Sequence, residues 1–287
     1  MSNDGTDTIG SAPFTDLCTF GERSDGRYDA TIAEFWTIGP KVHGGVMLAV
    51  CASAARQKVR EADSEPMRAM QPLSVAVDYL GAPNPGAVIL DVNLRKTGKQ
   101  ICLADVELIQ GDRTLVRAAV TLGHLDTEPP VYQADSLTDM PAEPGADALA
   151  YDENNEMGKI VNVAKGCDLR LDTTTAPFLK AEQGEPSLRL WIRPFADDEA
   201  DADILLLFAM MAADISPPVV FNRGMFGWSP TIQLTTYLQR MPAPGWLRVQ
   251  SSARSIGKGN FDEDHVIVDS TGAVVVQSRQ LALLPRS

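Results

Sequence analysis

The sequence predicts an α+β protein made of two copies of one unit, in each of which an antiparallel sheet wraps around a buried helix. Three observations carry this prediction. A sparse motif recurs: Tyr79-Leu80, Pro85-Gly86, Arg95 and Gly98-Lys99 in the first half, and Tyr237-Leu238, Pro244-Gly245, Arg254 and Gly257-Lys258 in the second, with one residue inserted after the second Tyr-Leu. Runs that alternate or are rich in β-branched residues surround each copy, separated by Pro, Gly, Asn and Asp. Ahead of each lies one segment that is apolar on nearly every face, which marks a buried helix and not a surface one.

Taken in chain order, residues 1–24 are Gly/Ser/Asp-rich and are expected to be flexible. Residues 25–125 form the first unit. Its strand at 27–37 precedes a helix at 45–59, where Val46-Met47-Leu48-Ala49-Val50-Cys51-Ala52 has no polar face. A four-strand meander at 74–80, 87–96, 101–110 and 114–122 follows. Residues 126–158, rich in Pro, Asp, Glu and Ala without sustained periodicity, read as an acidic connector. Residues 159–287 repeat the plan. A strand at 187–193 alternates as Leu-Arg-Leu-Trp-Ile-Arg, a helix at 203–215 carries the apolar run 204–213, and a second meander occupies 231–238, 245–255, 260–268 and 273–284.

Composition narrows the function classes. The 287 residues carry 25 Lys+Arg against 38 Asp+Glu, a net charge of −13. A field of that sign repels phosphate backbones and anionic lipid, so no nucleic-acid or membrane partner is expected. Small anionic ligands need only a local basic patch. The N-terminus lacks a basic region followed by an apolar core, and the run 204–213 is far short of the ~18 residues that span a bilayer. The four cysteines, Cys18, Cys51, Cys102 and Cys167, show no metal-ligand spacing. A cytoplasmic protein with reduced thiols and no metal or cofactor is expected.

Several short motifs, in order, point to one family. They are Val42-His43-Gly44-Gly45 at the first helix, then Pro72-Leu73-Ser74 and Tyr79-Leu80, then Leu190-Trp191-Ile192-Arg193 in the second half. Ala212-Ala213-Asp214 closes the second helix, and Pro230-Thr231-Ile232 and Ser278-Arg279-Gln280 follow. The chain resembles the acyl-CoA thioesterase II (TesB-like) family, whose fold is two fused hotdog domains. That resemblance implies hydrolysis of acyl-CoA to a carboxylic acid and CoA, with an Asp, a Thr and a Gln positioning water. Matched by position, these are Asp214, Thr231 and Gln280. After Thr231 the chain departs from the commoner family pattern, carrying Gln233-Leu234-Thr235-Thr236-Tyr237. Two alternatives stay open: a non-catalytic acyl-CoA binder, and a hotdog enoyl-CoA hydratase or dehydratase.

Each candidate also has a reading of its own. Asp214 closes an apolar helix, where burial and the negative end of the helix dipole both penalise its charge, so it calls for a partner or a function. Thr231 is equally an ordinary strand start, and Gln280 can donate to an oxygen without burying charge. His43, Gly44 and Gly45 are candidate substrate-binding residues, because glycines at a helix start leave N–H groups open to a ligand oxygen and the Gly45 N–H could polarise the thioester carbonyl. Arg223, with Lys99, Lys258, Arg95 and Arg254 beside turns, could meet the CoA phosphates. The fused copies could work as a monomer or pair further into a homodimer.

Overall fold

The computed structural model describes residues 9–62, 64–126, 128–152 and 154–285. The first half contains α1 (Pro13–Leu17), β1 (Gly21–Glu22), β2 (Tyr28–Ile32), the small hairpin β3 (Thr37–Ile38) and β4 (Lys41–Val42), α2 (Gly44–Arg60) and α3 (Glu65–Arg68). Four long strands follow: β5 (Gln71–Tyr79), β6 (Gly86–Lys96), β7 (Ile101–Gln110) and β8 (Arg113–Gly123). The second half contains β9 (Leu149–Ala150), α4 (Glu156–Ile160), β10 (Asp168–Leu171), β11 (Ser187–Arg193), α5 (Ala196–Glu199) and α6 (Ala202–Met211). It ends with β12 (Thr231–Leu238), β13 (Leu247–Ser252), β14 (Asn260–Val268) and β15 (Val274–Leu283).

Thirteen strands form one continuous antiparallel sheet in the order β1-β2-β6-β7-β8-β5-β12-β15-β14-β13-β11-β10-β9. Apart from the extra edge strand β9, the order is symmetric about the β5–β12 seam, six strands on each side, where Gln233 to Tyr237 pair with Asp78 to Ser74. The predicted repeat is therefore present in the pairing itself. The four-strand meander is not. β5 and β12 each skip the next strand in sequence and pair with β8 and β15, while β6 and β13 turn to β2 and β11. The seam explains the skip, since the strand that joins the copies must lie at the end of each half-sheet.

Both central helices are buried as expected. On α2 every residue from Gly45 to Arg56 is buried, and on α6 every residue from Ile204 to Met211. Fully burying a Leu, Phe or Met contributes roughly 1.5–3 kcal/mol, so these two helices hold the sheet around them. They run antiparallel: Gly45 of α2 meets Met211 at the end of α6, while Arg56 and Arg60 meet Asp203 at its start. The segment Ala202–Arg223, which joins α6 to two 3-10 turns across a break at 215–218, is by length and composition apolar enough to cross a membrane, longer than the run read from sequence, and 78% of its apolar window is buried inside the protein.

Three expectations are corrected. The strand predicted at 27–37 stops at Ile32, and the chain turns so that Trp36 is buried. Of the N-terminal stretch expected to be flexible, residues 1–8 lie outside the described residues, but α1 is anchored. Phe14 is fully buried edge-on against Trp36 and Phe208, and Asp198 accepts hydrogen bonds from the backbone of Phe14 and Thr15. The connector is also partly structured: Leu149–Ala150 pairs with β10 and extends the second half-sheet back into 126–158. That pairing brings the adjoining segment to the site.

Candidate functional site

Helix α6 ends at Met211 and tightens into a 3-10 turn, Ala212–Asp214, before Ser216-Pro217-Pro218 redirects the chain. The two prolines cannot continue a helix, so Asp214 is presented at its tip. The penalties predicted for Asp214 are answered from the other copy. Its carboxylate lies at the N-terminus of α2, where a β-carbon on Gly44 would stand 2.2 Å from Oδ2. The Gly45 backbone N–H faces the same carboxylate. The positive end of the α2 dipole thus offsets the negative end of α6, a favourable contribution of about 0.3–1 kcal/mol and more when partly buried. Only glycine at position 44 leaves room for this approach.

His43 encloses the group from the side. Its Nε2 lies 2.8 Å from the backbone oxygen of Asp214 and 3.7 Å from Oδ2. A carbonyl only accepts, so Nε2 carries the proton in that bond, and the buried Nδ1 has no partner among the described residues. Tyr79 donates from its hydroxyl to the Gly44 carbonyl at 2.9 Å and steadies the first turn. Burial pushes the Asp214 carboxyl above the usual range, opposed chiefly by His43 and the Gly45 N–H. A carboxylate shifted upward is a stronger base toward water.

Thr231 reaches the site through a backbone irregularity. Along β12, Leu234, Thr236 and Leu238 face the core, so an unbroken strand would turn odd-numbered Thr231 outward. The register against β15 skips a residue between Thr231 and Gln233, which reverses the parity and aims Thr231 inward. Its hydroxyl donates to Gln280 Oε1 at 2.8 Å. Gln280 is buried on the core face of β15 together with Ser278 and Ala282. The structure thus brings Asp214, Thr231 and Gln280 to one place, with His43 and Gly44.

These residues line a cavity of about 630 Å³ between the two halves. Ile38, Val42 and Met47 come from the first half, Tyr151 and Met157 from the linking segment, and Ile160, Phe221, Phe226 and Trp228 from the second. The wall is mostly apolar, but two lining hydroxyls, Tyr151 Oη and Ser229 Oγ, are buried without a hydrogen-bond partner among the described residues. No Lys or Arg lines the cavity among the described residues. Arg223 stands outside it, donating to the Gly184 carbonyl at 3.2 Å on the surface. Arg95 and Arg254 are likewise engaged in exposed ion pairs with Asp105 and Asp264. The Gly45 N–H expected to polarise a substrate carbonyl is turned instead to Asp214, and a β-carbon on Gly45 would stand 2.2 Å from the Met211 carbonyl oxygen, so this glycine also serves helix contact.

Sequence reasoning missed three members of the site. Ser216, Glu263 and His265 lie behind Gln280, and Ser216 and Glu263 line the cavity. The signal was the strand period: Phe261, Glu263, His265 and Ile267 occupy one face of β14, so two ionisable residues sit between apolar ones. Burial pushes Glu263 up to about 7 despite hydrogen bonds from Ser216 and Gln280. Burial also pushes His265 down to about 3.

The opposite end of the helix pair is different. There Arg60 and Arg56 lie 2.7 and 3.6 Å from the Asp203 carboxylate, and Gln71 donates to Asp203 at 2.6 Å. Ion pairs fill the position that the Asp214 cluster occupies at the other end.

Residues 134–284 match the acyl-CoA thioesterase C-terminal domain family and residues 32–123 its N-terminal domain counterpart. An uncharacterized protein of Mycobacterium tuberculosis is 41% identical over 273 residues, which cover 90% of this chain and 91% of that protein. Among solved structures, a protein from Thermobifida fusca assigned as a thioesterase II superposes with a TM-score of 0.80 at 23% identity, covering 96% of this chain and 98% of its own. A conserved protein of unknown function with a hotdog fold from Alicyclobacillus acidocaldarius gives 0.76 at 17% identity, covering 96% and 98%. At these identities the two structures show the fold.

Proposed function

The chain belongs to the acyl-CoA thioesterase family, as a double hotdog, and on that premise we propose that it hydrolyses acyl-CoA thioesters at the Asp214 cluster. One observation carries the proposal: a nearly buried carboxylate, its side chain 10% exposed, stands beside a hydroxyl and an amide in the wall of a largely apolar cavity. A water between Asp214, Thr231 and Gln280 meets acceptor oxygens that hold its protons and so orient its attacking lone pair. Asp214 takes the proton as the water oxygen attacks the thioester carbonyl carbon. The tetrahedral intermediate collapses with cleavage of the carbon–sulfur bond, releasing CoA thiolate and leaving the carboxylic acid.

The division of labour follows the duplication. The second copy supplies Asp214, Thr231 and Gln280, while the first supplies the helix end and His43 that hold Asp214. The apolar wall of Met47, Met157, Phe221 and Phe226 suits an acyl chain, and the charged CoA phosphates would remain outside the cavity. Within the proposed domain division, residues 149–161 serve the second unit as cavity wall. The test is thiol release from acyl-CoA substrates of graded length. Asp214→Asn should lower kcat by about 10²–10⁴-fold, the range for losing a general base, with KM little changed. Binding of acyl-CoA by the native protein without release of thiol at any length would refute hydrolysis and leave a binding protein.

A further inference from the structure

The core face of β14 carries charge that the fold does not require. Glu263 is 1% exposed, and His265 is as deeply buried. Glu263 Oε1 accepts from Ser216 Oγ at 2.8 Å, and Oε2 accepts from Gln280 Nε2 at 3.1 Å. His265 backs the pair: Nε2 lies 3.2 Å from Ser216 Oγ and Nδ1 3.1 Å from Ser278 Oγ, which also bonds the Ala213 carbonyl. Glu263 stands directly opposite Gln280 in the sheet, and His265 opposite Ser278.

The first copy is an internal control. By the repeat register, Glu263 corresponds to Ala104 and His265 to Val106, and their partners across the strand are Val120 and Ala118. The same two rungs are therefore wholly apolar in one copy and wholly polar in the other. Burying a carboxylate and an imidazole costs several kcal/mol unless each is fully hydrogen-bonded. A duplicated fold that is built without them in one half retains them in the other for another reason.

We propose that Glu263 is a positioning residue for the hydrolysis, fixing the orientation of the Gln280 amide and, through it, the direction in which Thr231 gives its proton. The inference rests on the hydrolase reading above. An amide has an acceptor end and a donor end, and it can sit either way round in a site that fits both. An ionised carboxylate only accepts, so Gln280 must turn Nε2 toward Glu263 and Oε1 toward Thr231. Thr231 must then donate its one proton to Gln280, which leaves its lone pairs to accept from the water. If Glu263 carries a proton it can donate to Gln280 instead. The amide then turns over, and the Thr231 hydroxyl is freed to donate to Asp214, which blunts the base. The ionised state of Glu263 thus keeps a three-residue relay pointing away from Asp214.

The ionisable groups around Glu263 are His265 on its own strand and Asp214 at the end of α6, with His43 of α2 beyond Asp214. Ser216, Ser251 and Gln280 complete its surroundings as neutral donors. Glu263→Gln preserves shape but accepts either amide orientation. With an acyl-CoA that the native protein hydrolyses, this variant should lose about tenfold or more in kcat with KM nearly unchanged, and the limb of the kcat–pH profile near neutrality should disappear. Ser216→Ala removes a donor to the carboxylate and should move that limb to higher pH. A merely structural Glu263 would lower the melting temperature without moving the limb. Glu263→Gln that keeps native kcat and profile overturns the inference while leaving the hydrolase reading intact. If that variant fails to fold, an unmoved limb in Ser216→Ala overturns it equally. Absence of thiol release from native protein overturns both.

Discussion

Gly44→Ala isolates the contact on which the site depends. The new β-carbon would stand 2.2 Å from Asp214 Oδ2, with Asp214 Cγ and the Tyr79 hydroxyl oxygen both at 3.3 Å. Ordinary carbon–oxygen contact needs about 1 Å more, so either the carboxylate or the start of α2 must move by that amount. Movement of the carboxylate away from the Gly45 N–H removes the favourable helix end as well. A displacement of about 1 Å at reacting groups costs roughly 10²-fold in rate. Stability should change much less. Alanine favours a helix over glycine by about 0.5–1 kcal/mol, which partly offsets an overpacking cost of roughly 1–3 kcal/mol. The expected variant is folded, melts within several degrees of native protein, and releases thiol about a hundredfold more slowly. Gly259→Ala is the control, since nothing lies within 4 Å of its added carbon, and it should match native kcat. Native turnover in Gly44→Ala would refute the assignment of the α2 N-terminus as the cradle of Asp214.

Glu263 gives a stability signature with a definite sign. Its folded pKa of about 7 lies above the ordinary 4.5, so its contribution is present below 4.5 and is lost as pH rises toward 7, by roughly 3 kcal/mol. His265, held down at about 3, contributes above 6.5 and loses that contribution as pH falls. The two slopes oppose one another between 4.5 and 6.5. Glu263→Gln should therefore melt higher than native protein at pH 8 and close to it at pH 5; an equal difference at both pH values would sink the assignment. Asp203→Ala leaves Arg56 and Arg60 without their acceptor and should destabilise by about 1–3 kcal/mol in urea titration. Thiol release should be unchanged, and a matching loss of kcat would show that the far helix end also supports turnover. Met157→Trp narrows the cavity from the linking segment and should depress kcat/KM for long acyl chains more than short ones, with equal losses at all lengths counting against an acyl-chain wall there.

The limits of reading the sequence have physical causes. Strands β11, β12 and β14 match their predicted spans because each is a β-favouring run bounded by turn residues. The pairing of β5 with β8 and β12 was not legible, since strand order is set by contacts between segments far apart in the chain. Thr231 faces inward only because the register slips beside it, and a bulge has no reliable mark in a run such as Thr-Ile-Gln-Leu. His43 and Asp214 meet across 171 residues, so neither predicts the other. In the run Phe261-Asp262-Glu263-Asp264-His265 the charges fall on both faces of the strand, so composition alone does not say which are buried. Pairing splits it: Asp262 and Asp264 face outward to Arg279 and Arg254, while Glu263 and His265 turn in.

The antiparallel helix pair has a consequence for how the halves are inherited. Two identical copies would set the same groups at both ends of the pair, and either copy could assemble the whole by self-association. Here Asp214 comes from one copy and its glycine cradle from the other, while the far end has exchanged those groups for Arg56, Arg60 and Asp203. A self-pair of the first half would have cradles without a carboxylate, and a self-pair of the second would have carboxylates without a cradle. The covalent link between the halves therefore does more than hold them together: it guarantees that the carboxylate of one always meets the glycine cradle of the other.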